Sequence, residues 1–238
     1  MIFFSFSTSG ISDPWYSNAS HYWSLNTVQE GRVKDIKGDR LSEVYSVKLV
    51  DGYSKKGLQI TNKAGSGIKL MNVKDTCLGN PDICDEGFTI AFWVKLKTLT
   101  YSNIHHTVIQ TSRRSFSVGT ALLFKNKVLS FYVNSPKITR QLNVRWNTFE
   151  WTHISLVWNK TAGQSNMYFN STPLLNATSL QSTSPFGPAV PTSGKLTVGA
   201  DHMLMHNTPD MMIDEIAIWY RPLLLEEISS IYLAKAGT

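Results

Sequence analysis

The sequence predicts an all-β fold, two antiparallel sheets stacked face to face and closed by one short helix. Three observations predict it. Apolar and polar residues alternate in segment after segment with the period of a half-buried strand. Turn-forming residues separate those segments at short spacing, the pattern of a sandwich. Helical spacing of apolar residues appears where the chain closes. At 238 residues, 42% hydrophobic and 11% aromatic, the chain has the material for one large core, which excludes intrinsic disorder. It shows no internal repeat, no second periodic block and no long low-complexity linker, so one domain is expected.

The elements follow in order. Phe88, Ile90, Phe92, Val94 and Leu96 share one face of a strand, and Thr89, Ala91, Trp93, Lys95 and Lys97 share the other. Val108-Ile109-Gln110, Ala121 to Phe124 and Val128 to Val133 repeat the pattern, with Lys125-Asn126-Lys127 as a hairpin turn between the last two. Trp151 to Trp158 places Ile154, Leu156 and Trp158 on one side. Asn166 to Asn170 follows. Ser179 to Gly194, rich in Ser, Pro and Gly, reads as a long surface loop. Lys195 to Gly199 and Met212 to Tyr220 read as strands, and Glu226 to Leu233 as a helix burying Ile228, Ile231 and Tyr232.

The order W-x-H at Trp151 and His153, then Tyr168-Phe169-Asn170, a Gly-ended strand at Lys195 to Gly199, Ile213-Asp214-Glu215 and Glu226-Glu227-Ile228 resembles the C-terminal half of laminin-G-like and pentraxin-like domains. Those are concanavalin A-like jelly rolls. His21-Tyr22-Trp23-Ser24-Leu25 looks like the opening strand of the same family, so the resemblance implies a domain over residues 18–235 after an N-terminal extension, 1–17. Cys77 to Cys84, followed at once by Gly87-Phe88-Thr89-Ile90-Ala91-Phe92-Trp93, resembles the N-terminal pentraxin-like ectodomain of adhesion G-protein-coupled receptors, especially subfamily D. The chain departs from the family before its helix, where Leu223-Leu224-Leu225 replaces the usual Ser or Thr cap, at a cost of about 1 kcal/mol.

Two cysteines, Cys77 and Cys84, flank a Gly79-Asn80-Pro81 turn that folds the segment back on itself and suits a local disulfide, although in a reducing compartment such a pair stays free. Two thiols without nearby Cys or His cannot complete a zinc site. Acceptor sequons for N-glycosylation stand at Asn18, Asn159, Asn170 and Asn176. No apolar run is long enough to span a bilayer, so no membrane contact is expected within this chain. Residues 1–7 lack the basic residue of a signal peptide, and the expectation is an excerpt whose leader and anchor lie outside it.

Asp214 sits in a strand pattern with Met212, Ile216 and Ile218, which turns a carboxylate toward an apolar layer that must supply a partner. Backbone amides of a neighbouring turn or a calcium ion, as relatives sometimes carry, would serve; Asp201, Asn207 and Asp210 are the nearby oxygen donors for calcium. The laminarinase-type relatives of this fold use paired carboxylates, but Met212, Ile216 and Ala217 stand where the second would be, so glycoside hydrolysis is not expected. His105-His106 would point to opposite faces of a strand, His202 and His206 match the i, i+4 spacing of a helix that Pro209 and the weak apolar pattern do not support, and His153 reads as a structural residue at a sheet edge. No nucleophile elbow, phosphate loop or dinucleotide fingerprint occurs.

The net charge of +6, with a pI near 9.2, admits an acidic partner. Arg113, Arg114, Lys125, Lys127, Lys137, Arg140 and Arg145 crowd the middle third, as a solvated face or as a contact for a heparan-sulfate-like polyanion; nucleic acid is disfavoured by the secretory features. The expectation is a noncatalytic extracellular recognition or adhesion module, secreted or part of a receptor ectodomain, binding a protein or glycan. The alternative is a secreted calcium-dependent pentraxin-like lectin.

Overall fold

The computed structural model describes residue 16 and residues 18–98, 104–111, 118–137, 139–174, 178–182, 194–200 and 209–236. In chain order the first strands are β1 (His21–Trp23), β2 (Arg32–Lys34), β3 (Leu41–Tyr45), β4 (Lys48–Asp51), β5 (Lys56–Ile60) and β6 (Gly67–Asn72). The central ones are β7 (Gly87–Leu96), β8 (His106–Gln110), β9 (Gly119–Lys125), β10 (Val128–Asn134), β11 (Thr139–Arg145) and β12 (Thr152–Asn159). The last are β13 (Gln164–Phe169), β14 (Thr172–Pro173), β15 (Thr178–Ser182), β16 (Lys195–Val198) and β17 (Met211–Trp219), before the helix α1 (Leu225–Ala236).

They form two antiparallel sheets. One runs β14-β13-β12-β7-β17-β5-β4, with β1 also on β17; the other runs β15-β11-β10-β9-β8-β16-β6-β3-β2. This is the concanavalin A-like sandwich, with one short C-terminal helix. The inward row predicted for β7 is the row observed: Phe88, Ile90, Phe92, Val94 and Leu96 meet Leu122, Phe124, Leu129 and Phe131 of the opposite sheet in one core. Ile154, Leu156 and Trp158 of β12 join them. Burying one such side chain contributes about 1.5–3 kcal/mol, so these rows hold the sheets together.

A second, smaller core lies on the outer face of the eight-stranded sheet. Ile228 and Ile231 of α1 pack with Ala91, Val157, Ala217 and Trp219. Ala91 and Ala217 are direct register partners, and their small side chains keep the sheet surface low beneath the helix. The helix start differs from expectation. Leu224 cannot cap with its side chain, but Glu227 reaches back three residues to accept the Leu224 N–H at 2.9 Å. Arg221 holds that carboxylate from outside through two bonds of 2.9 and 2.6 Å. Half of a capping box therefore survives.

Two further expectations are corrected. The stretch read as a loop from Ser179 begins as strand, because β15 pairs along β11 from Thr139↔Ser182 to Asn143↔Thr178; residues 183–193 lie outside the described residues. The strands β2 to β6 were not legible at all, being short and lacking clean alternation. Between β9 and β10 the hairpin is a two-residue turn, Asn126 (φ 48°) and Lys127 (φ 64°), both left-handed as a primed turn requires.

Candidate functional site

β17 carries the decisive irregularity. Asp214 pairs with Trp93 and Ala217 with Ala91, so Glu215 and Ile216 together face the single residue Phe92. The inserted residue, Glu215, has φ 54°, and the side-chain alternation inverts there. Met211 and Ile213 point inward before the bulge, Ile216 and Ile218 after it. Asp214 therefore shares the outer face with Met212 and not with Ile216 and Ile218, which corrects the strand pattern expected from sequence. The bulge also divides the neighbours of β17, with β5 on residues 211–213 and β1 on residues 216–218.

Asp214 is fully buried, clasped by the turn between β4 and β5. Its Oδ2 accepts the Ser54 N–H at 3.0 Å, while Oδ1 is buried with no hydrogen-bond partner among the described residues. Gly52 makes the approach possible: a Cβ there would stand 2.5 Å from Asp214 Oδ2 and 2.6 Å from the Lys56 carbonyl carbon. Burial pushes the Asp214 carboxyl up to about 8, with the Glu215 charge adding to it and the N–H bonds opposing. Glu215 accepts from the Tyr22 hydroxyl. The turn amide expected as one partner of Asp214 is thus in place, and among the described residues no group of three or more His, Cys, Asp or Glu could hold a metal ion.

Asp214, Trp93 and His153 form one rung across β17, β7 and β12, each the register partner of the next. Aromatic rings cover it. Tyr53 stacks on Trp93 with centroids 3.4 Å apart, Trp151 meets Tyr53 edge-on at 6.2 Å, and Tyr232 of α1 lies 5.7 Å from Trp93 and 6.1 Å from His153. His153 is not at a sheet edge: β12 lies between β7 and β13, and burial lowers the His153 pKa to about 3, so the ring is neutral at physiological pH. Beyond this rung Trp151 and Tyr53 are half-buried, and Phe149, two residues before Trp151 in sequence, is 46% exposed. Tyr53 was missed from sequence because its partner lies forty residues away and three strands across.

A second buried pair joins β1 to the turn between β2 and β3. His21 Nδ1 lies 2.6 Å from Asp35 Oδ2, and Asp35 Oδ1 also accepts the Tyr22 and Lys37 N–H groups. Burial alone would raise the Asp35 pKa, but the hydrogen bonds from His21 and from backbone amides outweigh it and hold this carboxylate below its ordinary range.

The remaining sequence candidates fall as follows. Cys77 and Cys84 form a disulfide. Lys160 Nζ braces it, donating to the Asp82 carbonyl at 2.7 Å and to the Cys84 carbonyl. Asn18 and Asn170 are exposed and Asn159 half-buried; Asn176 lies outside the described residues, as do Arg113, Arg114, Asp201, His202, His206 and Asn207. Lys125 and Arg145 flank Val128 in one rung on the outer face of the nine-stranded sheet, beside Lys127 in the turn. Arg140 departs from this group. It stands in the inward row of β11 with Leu142, pairs with buried Val133, and its Nε donates to the Gly163 carbonyl of the other sheet at 2.9 Å.

Residues 72–229 match the family described as the Concanavalin A-like lectin/glucanases superfamily. The chain is 26% identical over 253 residues to the adhesion G-protein coupled receptor D1 of Bos taurus, across 93% of this chain and 26% of that receptor, so it spans about a quarter of the relative's length. Two similar solved structures are the binding domain of botulinum neurotoxin DC in complex with SialylT (TM-score 0.68, 13% identity, 93% of this chain and 52% of that one) and the same domain in complex with rat synaptotagmin II (0.66, 13%, 92% and 52%). At such identity these share the fold. No helix among the described residues is long and apolar enough to cross a membrane. From the family match across most of its length, the chain belongs to the concanavalin A-like lectin/glucanase superfamily.

Proposed function

We propose that this domain is a noncatalytic extracellular recognition module whose ligand, a protein or a glycan, is met by the loop end carrying Tyr53, Phe149 and Trp151. The observation that carries the reading is the half-exposed aromatic surface anchored on the buried Asp214–Trp93–His153 rung. Rigid aromatic side chains give large contact area at little entropic cost and lie across sugar or peptide faces. The two buried acidic residues of β17 are committed internally, Asp214 to a backbone amide and Glu215 to a tyrosine hydroxyl, which supports recognition over proton transfer. The receptor similarity across 93% of the chain, the disulfide and the surface sequons support the extracellular setting.

The test is binding of the 238-residue chain to a glycan array and to cell-surface proteins, against the variant Phe149→Ala with Trp151→Ala. Binding that falls at least tenfold in the variant supports the reading; undiminished binding places the contact elsewhere. A polyanion contact at Lys125, Lys127 and Arg145 is tested separately, since replacing all three by Gln should lower the salt needed to elute the chain from heparin.

A further inference from the structure

We propose that Asn170 carries an N-linked oligosaccharide that, with Pro173, closes the β14 edge of the eight-stranded sheet. The inference rests on the extracellular reading, because the sugar donor belongs to the secretory compartment. Asn170 and Ser171 form the two-residue turn between β13 and β14, with φ 49° and φ 62°, and Thr172 opens β14. A turn of this type favours Asn at its first position on conformational grounds alone, so the residue type is not enough. What adds to it is how the side chain is used.

Asn170 is exposed, and so is Thr172, the second residue a glycosyl transferase reads. Asn170 Oδ1 accepts the His153 N–H at 2.9 Å, and the Asn170 N–H returns a 2.9 Å bond to the His153 carbonyl. Both polar links to the sheet thus use the carbonyl half of the amide and the backbone. Glycosylation changes the other half. The amide nitrogen attacks the anomeric carbon of an isoprenoid-diphosphate-linked oligosaccharide, a nitrogen–carbon bond forms, the carbon–oxygen bond to the diphosphate breaks, and one amide proton goes to a base of the transferring enzyme. Oδ1 keeps its lone pairs, so the bond from His153 survives the modification.

Asn159 is placed differently. It is half-buried, its Oδ1 takes the Ala162 N–H at 2.8 Å, and the middle residue of its sequon, Lys160, is bound to the disulfide loop. The Asn170 position also answers a need of the fold. β14 ends its sheet, and an uncovered strand edge is a template for pairing with other chains. Pro173 withholds one N–H from that edge, and a hydrated oligosaccharide at the adjoining turn keeps a second strand from approaching.

The full chain, expressed in mammalian cells behind a cleavable secretion leader, is treated with a glycoamidase in heavy-oxygen water and analysed by peptide mass spectrometry. The expected result is Asn170 converted to a heavy-oxygen-labelled Asp, and loss of one glycan step in gel mobility for Thr172→Ala, which keeps the bond to His153. Secreted protein with the Cys77–Cys84 disulfide formed but the Asn170 peptide unmodified overturns the proposal. Failure of the extracellular reading is seen elsewhere: surface labelling of cells expressing the native gene would then find no labelled protein, while the occupancy of Asn170 in the leader-driven chain still decides the site.

Discussion

Replacing Asp214 by Asn should turn a pH-sensitive clasp into an insensitive one. Asp214 is fully buried, and its carboxyl titrates near 8 in the fold against 3.8 in the unfolded chain. Between those values the folded state holds a proton that the unfolded state has released, so the stability is present at low pH and is lost as pH rises. His153 works in the opposite direction. Its ring titrates near 3 when folded and 6.5 when unfolded, so folding gains stability as pH climbs through that interval. Each slope is about 1.4 kcal/mol per pH unit. They cancel from roughly pH 4 to 6.5 and leave Asp214 alone above it, where stability falls by about 2 kcal/mol on reaching pH 8. In a domain of this size that is a drop of about 4–8 °C in Tm.

In Asp214→Asn the amide oxygen still accepts the Ser54 N–H, while the ionisation is gone. Thermal melts of both proteins from about pH 5 to 9 therefore differ in shape. The wild-type decline above neutrality should vanish in the variant, and the rising His153 limb should emerge below pH 6.5. Every other titrating group is common to both proteins and drops out of the difference. Parallel curves between pH 6.5 and 8 would refute the account of Asp214 as a buried, protonated acid.

Gly52→Ala should destabilise the fold by about 1–3 kcal/mol in urea unfolding, since its methyl group meets both Asp214 and the Lys56 backbone. Replacing Cys77 and Cys84 by Ser should cost about 2–3 kcal/mol by chain entropy, read as a lower urea midpoint for the variant than for the oxidised protein. Glu227→Ala removes the reach-back to Leu224 and the pairing with Arg221; a loss of about 1 kcal/mol, with faster amide exchange confined to the first turn of α1, is expected.

The central strands were legible because both sheets bury one face against the other and leave the second face partly polar. That asymmetry writes a period of two into β7, β10 and β12. The strands β2 to β4 bury little: β2 alternates over only three residues, and Lys48, Leu49 and Asp51 of β4 are all exposed, so no sustained alternation marks them. The bulge in β17 was hidden for a different reason: Asp214, Ile216 and Ile218 alternate as if on one face. Its trace was nonetheless present, since Ile213 and Ile216 lie three apart and can both be inside a strand only when one residue is inserted between them. The helix cap was likewise written at Glu227, the third position, and was overlooked because its usual Ser or Thr partner is missing.

The bulge explains how the rim proposed for recognition is held in place. A regular β17 would keep one neighbour along its length and would turn Asp214 and Ala217 to opposite faces. With the insertion, both lie outside, and the outer surface is split into two covered areas. Over Ala91 and Ala217 the helix is seated by Ile228 and Ile231; over Trp93 the turn between β4 and β5 is seated by Asp214 and Tyr53. Each cover is fixed by its own buried contacts, so Phe149 and Trp151 project from a scaffold that Tyr53 helps to hold. Exchanging those rim residues should therefore change what binds while leaving stability within about 0.5 kcal/mol of wild type, as surface positions do. The rung beneath cannot be exchanged in that way, because Trp93, His153 and Asp214 are the means by which the rim is held in place.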